Sequence, residues 1–228
     1  MKLSIIIPAF NEEKTIEEVV KKVENISLPI GREIIVVNDG STDGTANVLR
    51  ELKGRFNFTL IEHQKNMGKG AAIRTGLKAA TGDFVIVQDA DLEYNPEDYR
   101  KIIAPLLEGK AEVVYGSRTL GKNKRGSLSF FWGGKLLTFA SNLLYGLKIT
   151  DESTCYKAFK KDLLVSLNLE SDGFEFCPEV TAKIGKRKIK IYEVPISYSA
   201  RSKKEGKKIK WKDGFIAIWT LIKYKFKK

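Results

Sequence analysis

The sequence predicts an α/β fold, a mostly parallel central sheet with helices on both faces, and three observations carry that prediction. Short apolar runs alternate with longer segments of helical period through the first half of the chain. The runs "IIIP", "IIVV" and "FVIV" are apolar throughout, as in strands covered on both faces. Polar clusters follow these runs, "PAFNEE", "NDGSTDGT", "QDADLEY" and "GSR", and ligands of parallel sheets sit at the carboxyl ends of the strands.

Each element has its own warrant. "LSIIIPAF" reads as the first strand. The next segment, "NEEKTIEEVVKKVENI", sets Ile16, Val19, Val20 and Val23 on one helical face, with acids early and lysines late. "GREIIVVNDG" is a strand ending in a turn, "TDGTANVLRELKGRF" a helix and "FTLIEHQ" a third strand. A helix rich in small residues, "KGAAIRTGLKAAT", leads to the strand at 84–88. "PEDYRKIIAPLLEG" is a helix with Pro96 in its first turn, and "AEVVYGSR" another strand. Beyond residue 120, "GKNKRGS" is a basic loop and "SLSFFWGGKLLTFASNLLYGLK" a long apolar helix. "TDESTCYKAFKKDLL" reads as polar and then helical. "GFEFCPEVTAKIGKR" is a helix, "IKIYEVPISY" a strand, "ARSKKEGKKIKWKDG" a basic loop and "DGFIAIWTLIKYKFKK" an amphipathic C-terminal helix. No linker divides the chain. One domain over 1–228 is expected, with 201–228 as a basic, amphipathic appendage.

A chain of 228 residues with 43% hydrophobic and 30% charged residues is globular rather than disordered. The net charge of +12, concentrated after residue 183, favours polyanions, phosphorylated ligands or an anionic membrane surface. The spacing of Cys155 and Cys177 fits no zinc motif. No apolar run reaches the length of a transmembrane helix, and the N-terminal run, closed by Pro8, is too short for a signal peptide. No helix-turn-helix, zinc-finger or RNA-binding signature appears, so nucleic acid is not an expected partner. A basic nucleotide- or nucleic-acid-binding protein remains as an alternative class.

Taken singly, "NDGS" is an ordinary turn and Asp43 or Thr42 an ordinary helix cap. Their shared placement at one sheet edge favours a site. Asp89 and Asp91 are two apart and point the same way on an extended backbone, so they repel. A hard divalent cation such as Mg2+ or Mn2+ relieves that repulsion. A solvated acidic turn before the helix at Pro96 is the plain alternative.

"IIIPAFNEEKTI", "IIVVNDGSTDGT", "NMGKGAAIRTG" and "QDADLEYNP" together resemble the family 2 glycosyltransferases of the GT-A fold, and among them the polyprenyl-phosphate (dolichol-phosphate) mannosyl and glucosyl synthases. "GSR", "TDESTCYKAF" and "EVPISYSARSKKEGKKIKWKDG" extend the resemblance over nearly the whole chain. It implies a nucleotide-sugar site of Pro8, Ala9, Phe10, Glu12, Asp39, Lys69, Asp89, Ala90, Arg201 and Lys208, with Asp39 on the base or ribose. It implies a DXD metal motif of Asp89 and Asp91 for Mg2+ or Mn2+. Glu93 stands where the mannosyl synthases place a metal-binding glutamine. Catalysis falls to Asp91 and to Arg118, which lies near the acceptor phosphate. In the basic loop, Arg201, Lys203, Lys204, Lys207 and Lys208 suit a phosphate, or else form a solvated surface.

The reaction expected from this resemblance is metal-dependent, inverting transfer of a hexose to a polyprenyl or dolichyl phosphate. GDP-mannose is the favoured donor and UDP-glucose the next. A phosphate acceptor is already an anion and needs no general base, whereas transfer to a glycan hydroxyl would need one, with Glu175 or Glu179 as candidates. His63 is expected to be structural or close to the nucleotide base. The aromatic and basic residues of 127–148 and of the C-terminal helix suit either a membrane interface or packing on the sheet. The expected location is cytoplasmic, peripheral at the inner face of the membrane.

Overall fold

A computed structural model describes residues 1–123, 128–201 and 211–227. Its strands are β1 (Lys2–Ala9), β2 (Gly31–Asn38), β3 (Thr59–Glu62), β4 (Phe84–Val87), β5 (Val113–Ser117), β6 (Lys157–Lys160) and β7 (Ile191–Pro195). They form one sheet in the order β3-β2-β1-β4-β6-β5-β7. Pairing is parallel except where β6 runs antiparallel between β4 and β5. The helices are α1 (Ile16–Asn25), α2 (Thr45–Lys53), α3 (Lys69–Ala79), α4 (Tyr99–Leu107), α5 (Leu128–Tyr145), α6 (Lys161–Ser166), α7 (Phe176–Lys186) and α8 (Trp211–Phe226).

The apolar patterns become the core. All of β4 is buried, as are five consecutive residues of β1 from Leu3 to Ile7. α1 buries Ile16, Val19, Val20 and Val23, the face its periodicity predicts. A side chain of this size contributes about 2 kcal/mol when it leaves water. The small residues of α3 have a steric cause: a Cβ at Gly76 would overlap Ile6 of β1.

The strand β6 departs from the expectation of a polar and then helical segment at 150–164. It is only four residues long, with lysine at both ends. Lys157 is nevertheless fully buried. Its ammonium donates to the carbonyls of Glu152 (2.5 Å) and Thr154 (2.6 Å) and lies 4.5 Å from the centre of the Tyr115 ring. Because β6 runs against its neighbours, the segment that enters it, 151–156, lies at the edge where the parallel strands end. This one reversal brings "DESTCY" to the site.

The C-terminal helix α8 packs on α5 and α7 through a small apolar cluster of Leu137, Ala182, Ala217, Leu221 and Tyr224. Its opposite face carries exposed Phe215, Trp219, Ile222 and Phe226. The expected packing is thus made by one face of this helix, and the other is open to solvent.

Candidate active site

The turn after β4 is built on buried Gln88, whose Oε1 accepts from the hydroxyls of Tyr99 (2.6 Å) and Tyr156 (2.7 Å). Its Nε2 donates to the Asp89 carbonyl at 2.8 Å. Asp89, Asp91 and Glu93 project from this braced turn. Lys69, at the start of α3, forms an ion pair with Asp89. Arg201 meets Asp91 at 2.5 Å and Glu12 at 3.4 Å, and its Nε lies 3.9 Å from Glu93. Residues far apart in the chain therefore converge on this turn. Ala90 is buried, and its carbonyl accepts from Thr15 Oγ1 at 2.9 Å.

The carboxylates differ in electrostatic state. Burial is the largest influence on Asp89 and raises its pKa, but the charge and hydrogen bond of Lys69 help carry it below the usual range. Asp91 is pushed up to about 7, by burial first and then by the negative charges of Asp89 and Glu93, against the pull of Arg201. The cluster is short of positive charge even with Arg201 in place.

Carboxylate oxygens suit Mg2+ or Mn2+, and Mg2+ in phosphate sites takes only one or two protein carboxylates beside the phosphates. Among the described residues, no three His, Cys, Asp or Glu side chains are grouped to hold an ion by themselves. Two neighbouring carboxylates fit an ion whose remaining ligands come from a diphosphate. Asp89 and Asp91 would hold it, with Glu93 and Glu12 adjacent.

Beside this cluster, Pro8 and Ala9 close β1, next to Val37 and Asn38 of β2. Phe10, half-buried, follows them. Asp39 comes directly after β2 and is buried. Its Oδ1 lies 2.7 Å from His63 Nδ1 and accepts from Met67 N at 2.9 Å, while Oδ2 accepts from Gly68 N at 2.8 Å. His63 Nε2 lies 3.0 Å from Thr75 Oγ1. Asp39 thus fixes the loop that delivers Lys69, and His63 has the structural place expected of it. Gly40 lets this loop close, since its φ is +65° and a Cβ would overlap the Lys65 backbone.

Arg118 follows β5 at the same edge. Asp151 accepts from its backbone N at 2.9 Å, its Nε at 2.7 Å and its Nη2 at 2.7 Å. Burial is the largest influence on Asp151 and raises its pKa, but Arg118 outweighs it and keeps the carboxylate ionised. The guanidinium also lies 5.0 Å from the centre of the Tyr198 ring, whose hydroxyl donates to Glu93 at 2.8 Å. Asp151, Gln88 and Tyr198 had no assigned role in the sequence reading. Their contacts depend on the reversal of β6 and on pairings such as Tyr198 with Glu93, 105 residues apart, which no local spacing reveals.

Glu179 does not suit the role of general base. It is 0% exposed, accepts from Glu170 N and Ser171 N (both 2.8 Å) and pairs with Lys183 at 2.6 Å. Glu175 accepts from Gly173 N at 3.0 Å. Lys203, Lys204, Lys207 and Lys208 lie outside the described residues.

The same architecture occurs in glucosyl-3-phosphoglycerate synthase from Mycobacterium tuberculosis, solved with Mn2+, UDP and phosphoglyceric acid. The TM-score is 0.74 over 100% of this chain and 79% of that one, and at 22% identity the likeness concerns the fold. Another structure of that synthase, with Mg2+ and UDP, has a TM-score of 0.75 over 98% of this chain and 79% of that one, at 22% identity. Strand order, with the sixth strand reversed within an otherwise parallel sheet, gives this molecule the GT-A fold. The model of Glycosyl transferase family 2 matches residues 4–167, and the chain belongs to that family. Its relatives include dolichyl-phosphate glycosyltransferases. It is 33% identical over 246 residues to the UDP-N-acetylglucosamine--dolichyl-phosphate N-acetylglucosaminyltransferase of Methanococcus voltae, covering 98% of this chain and 96% of the relative. It is 30% identical over 213 residues to the dolichol-phosphate mannosyltransferase of Pyrococcus furiosus, covering 91% of this chain and 59% of that longer protein.

Proposed function

We propose that this glycosyltransferase moves a sugar from a nucleoside diphosphate donor to a polyprenyl phosphate, with Mg2+ or Mn2+ and with inversion. The observation that carries the reading is Arg118. Asp151 holds its Nε and Nη2, which fixes the guanidinium at the same edge as the acidic turn and leaves Nη1 outside that fork. A fixed guanidinium suits an acceptor phosphate. The phosphate oxygen attacks the anomeric carbon, the bond from that carbon to the donor diphosphate breaks, and the nucleoside diphosphate leaves with the electron pair. An anionic acceptor brings no proton to remove, in keeping with the structural engagement of Glu179 and His63. The ion, when bound, neutralises charge on the departing diphosphate. Asp89 and Asp91 orient the diphosphate end of the donor, Lys69 and Arg201 add positive charge beside it, and Pro8 to Phe10 and the loop fixed by Asp39 border its nucleoside end.

The donor has three candidates. GDP-mannose is favoured by the DXD region, which resembles the mannosyl synthases, and the Pyrococcus relative, a mannosyltransferase, supports mannose as the sugar. The Methanococcus relative matches nearly end to end and favours UDP-N-acetylglucosamine. UDP-glucose, the second donor expected from sequence, belongs in the same comparison.

Among the described residues, no helix is long and apolar enough to cross a membrane. Two helices nevertheless present apolar stripes to solvent. On α5 these are Trp132, Leu136, Phe139 and Leu143, and on α8 Phe215, Trp219, Ile222 and Phe226. Trp132 and Trp219 are 66% and 64% exposed. Lys223, Lys225 and Lys227 flank the second stripe. α5 is linked to the acceptor side through Lys135, which donates to Thr119 at 3.3 Å, and through Thr138, whose Oγ1 accepts from Glu152 N at 3.0 Å. These faces suit peripheral contact with an anionic bilayer holding the acceptor, at the cytoplasmic face. The test supplies Mn2+ or Mg2+, a short polyprenyl phosphate and each labelled donor in turn. Label entering the organic phase with one donor is expected. Transfer only to a soluble glycan would refute the reading.

A further inference from the structure

The acidic turn carries its own cation. Arg201 lies among three carboxylates, bonded to Asp91 and close to Glu12 and Glu93, and its side chain is only 16% exposed. Among the described residues its buried Nε has no hydrogen-bond partner. The guanidinium is therefore held there by charge more than by a complete hydrogen-bond set.

Glu93 explains how it arrives. Its Oε1 accepts from the backbone N of Arg201 at 2.7 Å and its Oε2 from the Tyr198 hydroxyl at 2.8 Å. Its carbonyl accepts from Ser199 N at 2.9 Å. Tyr94 and Tyr198 form a β-bridge beside it. Glu93 thus docks the segment 198–201 against the acidic turn and aims Arg201 at Asp91.

We infer that Arg201, positioned by Glu93, is the built-in counter-ion of the donor site, and that a divalent ion reaches Asp91 only by displacing it. The inference rests on the proposed metal dependence and adds an exchange to it. One unit of positive charge leaves the carboxylates as two arrive, and the diphosphate that accompanies the ion offers the released guanidinium a new partner. A bare ion lacks that compensation and binds against the arginine. Glu93 is then a positioning residue, not a third metal ligand.

The test is Mn2+ binding without sugar transfer, read from the electron paramagnetic resonance of free Mn2+ in titrations of the full chain, with circular dichroism to confirm folding. Arg201→Ala is expected to bind Mn2+ alone at least about tenfold more tightly than wild type, because no cation has to be moved. Arg201→Gln, which keeps bulk and polarity, should behave alike if the alanine variant is unstable. UDP or GDP should improve Mn2+ binding more in wild type than in either variant. Equal or weaker binding of Mn2+ by both variants would overturn the inference while leaving metal dependence intact. Absence of Mn2+ binding in every protein, with or without nucleotide, would remove both. Glu93→Ala, made in the Arg201→Ala background, is expected to change Mn2+ affinity less than about threefold. A loss of tenfold or more there would return Glu93 to the ligand set.

Discussion

Asp151→Asn isolates the part of the site assigned to the acceptor. Asp151 accepts three bonds from Arg118, and its side chain is 7% exposed. Asparagine keeps one acceptor oxygen and turns an NH2 group toward an N–H donor of the arginine, so the fork cannot survive. Breaking one partner of a buried pair costs about 3–5 kcal/mol. Arg118 retains 24% exposure, which lets water recover part of that and puts the expected loss at about 2–3 kcal/mol. For a chain of this size that is a fall in Tm of about 5–10 °C. Urea unfolding and thermal melts read the stability, and initial rates at varied donor and acceptor read the function. The KM for polyprenyl phosphate should rise about tenfold, the equivalent of 1.4 kcal/mol, while the KM for the nucleotide sugar stays within twofold. A variant that loses less than about 1 kcal/mol and keeps its acceptor KM would refute the reasoning that Asp151 organises Arg118 for the acceptor.

Three other outcomes follow from the same structure. Asp91→Ala should lower transfer by about 100-fold or more while the melting curve stays close to wild type, since the change also relieves repulsion from Asp89 and Glu93; retained activity would take Asp91 out of the mechanism. Glu33, on β2 and outside the site, has its pKa lowered from 4.5 to about 2: burial, the largest influence, raises it, but hydrogen bonds from Ser4, Thr81 and Lys2 outweigh that. Its folded pKa lies below the unfolded one, so its contribution of at most about 3 kcal/mol is present above pH 4.5 and lost as pH falls toward 2; Glu33→Ala should therefore destabilise at neutral pH and match wild type near pH 2 in denaturant titrations. The pair Trp132→Ser and Trp219→Ser should reduce flotation with anionic vesicles at least about tenfold, with unchanged thermal stability because both rings are exposed; unaltered flotation would reject the stripes as the membrane contact.

Much of the architecture was legible because its causes are local. The apolar runs of β1, β2 and β4 have no other stable use than a sheet covered on both faces, and the face of α1 follows from its period. The aspartates of the site were legible through their spacing and their resemblance to a family. The reversed β6 was not: four residues bracketed by lysines carry no strand signal, and the burial of Lys157 depends on two carbonyls supplied by a neighbouring turn. Asp151 was hidden for the same reason, since its partner Arg118 meets it only once β6 has turned back. Asp39 was legible as a site-edge residue, but its hold on Met67, Gly68 and His63 is a tertiary fact. The resemblance put Glu93 at a metal-binding position, and the structure adds another place for it, as the dock for Tyr198 and Arg201.

The central claim is that the attacking group is a lipid phosphate, and acceptor competition tests it most directly. The enzyme receives its preferred labelled nucleotide sugar and Mn2+ together with equal amounts of a short polyprenyl phosphate, the matching polyprenol and a soluble glycan. The account predicts label on the polyprenyl phosphate alone, as a sugar joined through phosphate with inverted anomeric configuration. Label on the polyprenol or the glycan in preference to the phosphate, or a product of retained configuration, would contradict it.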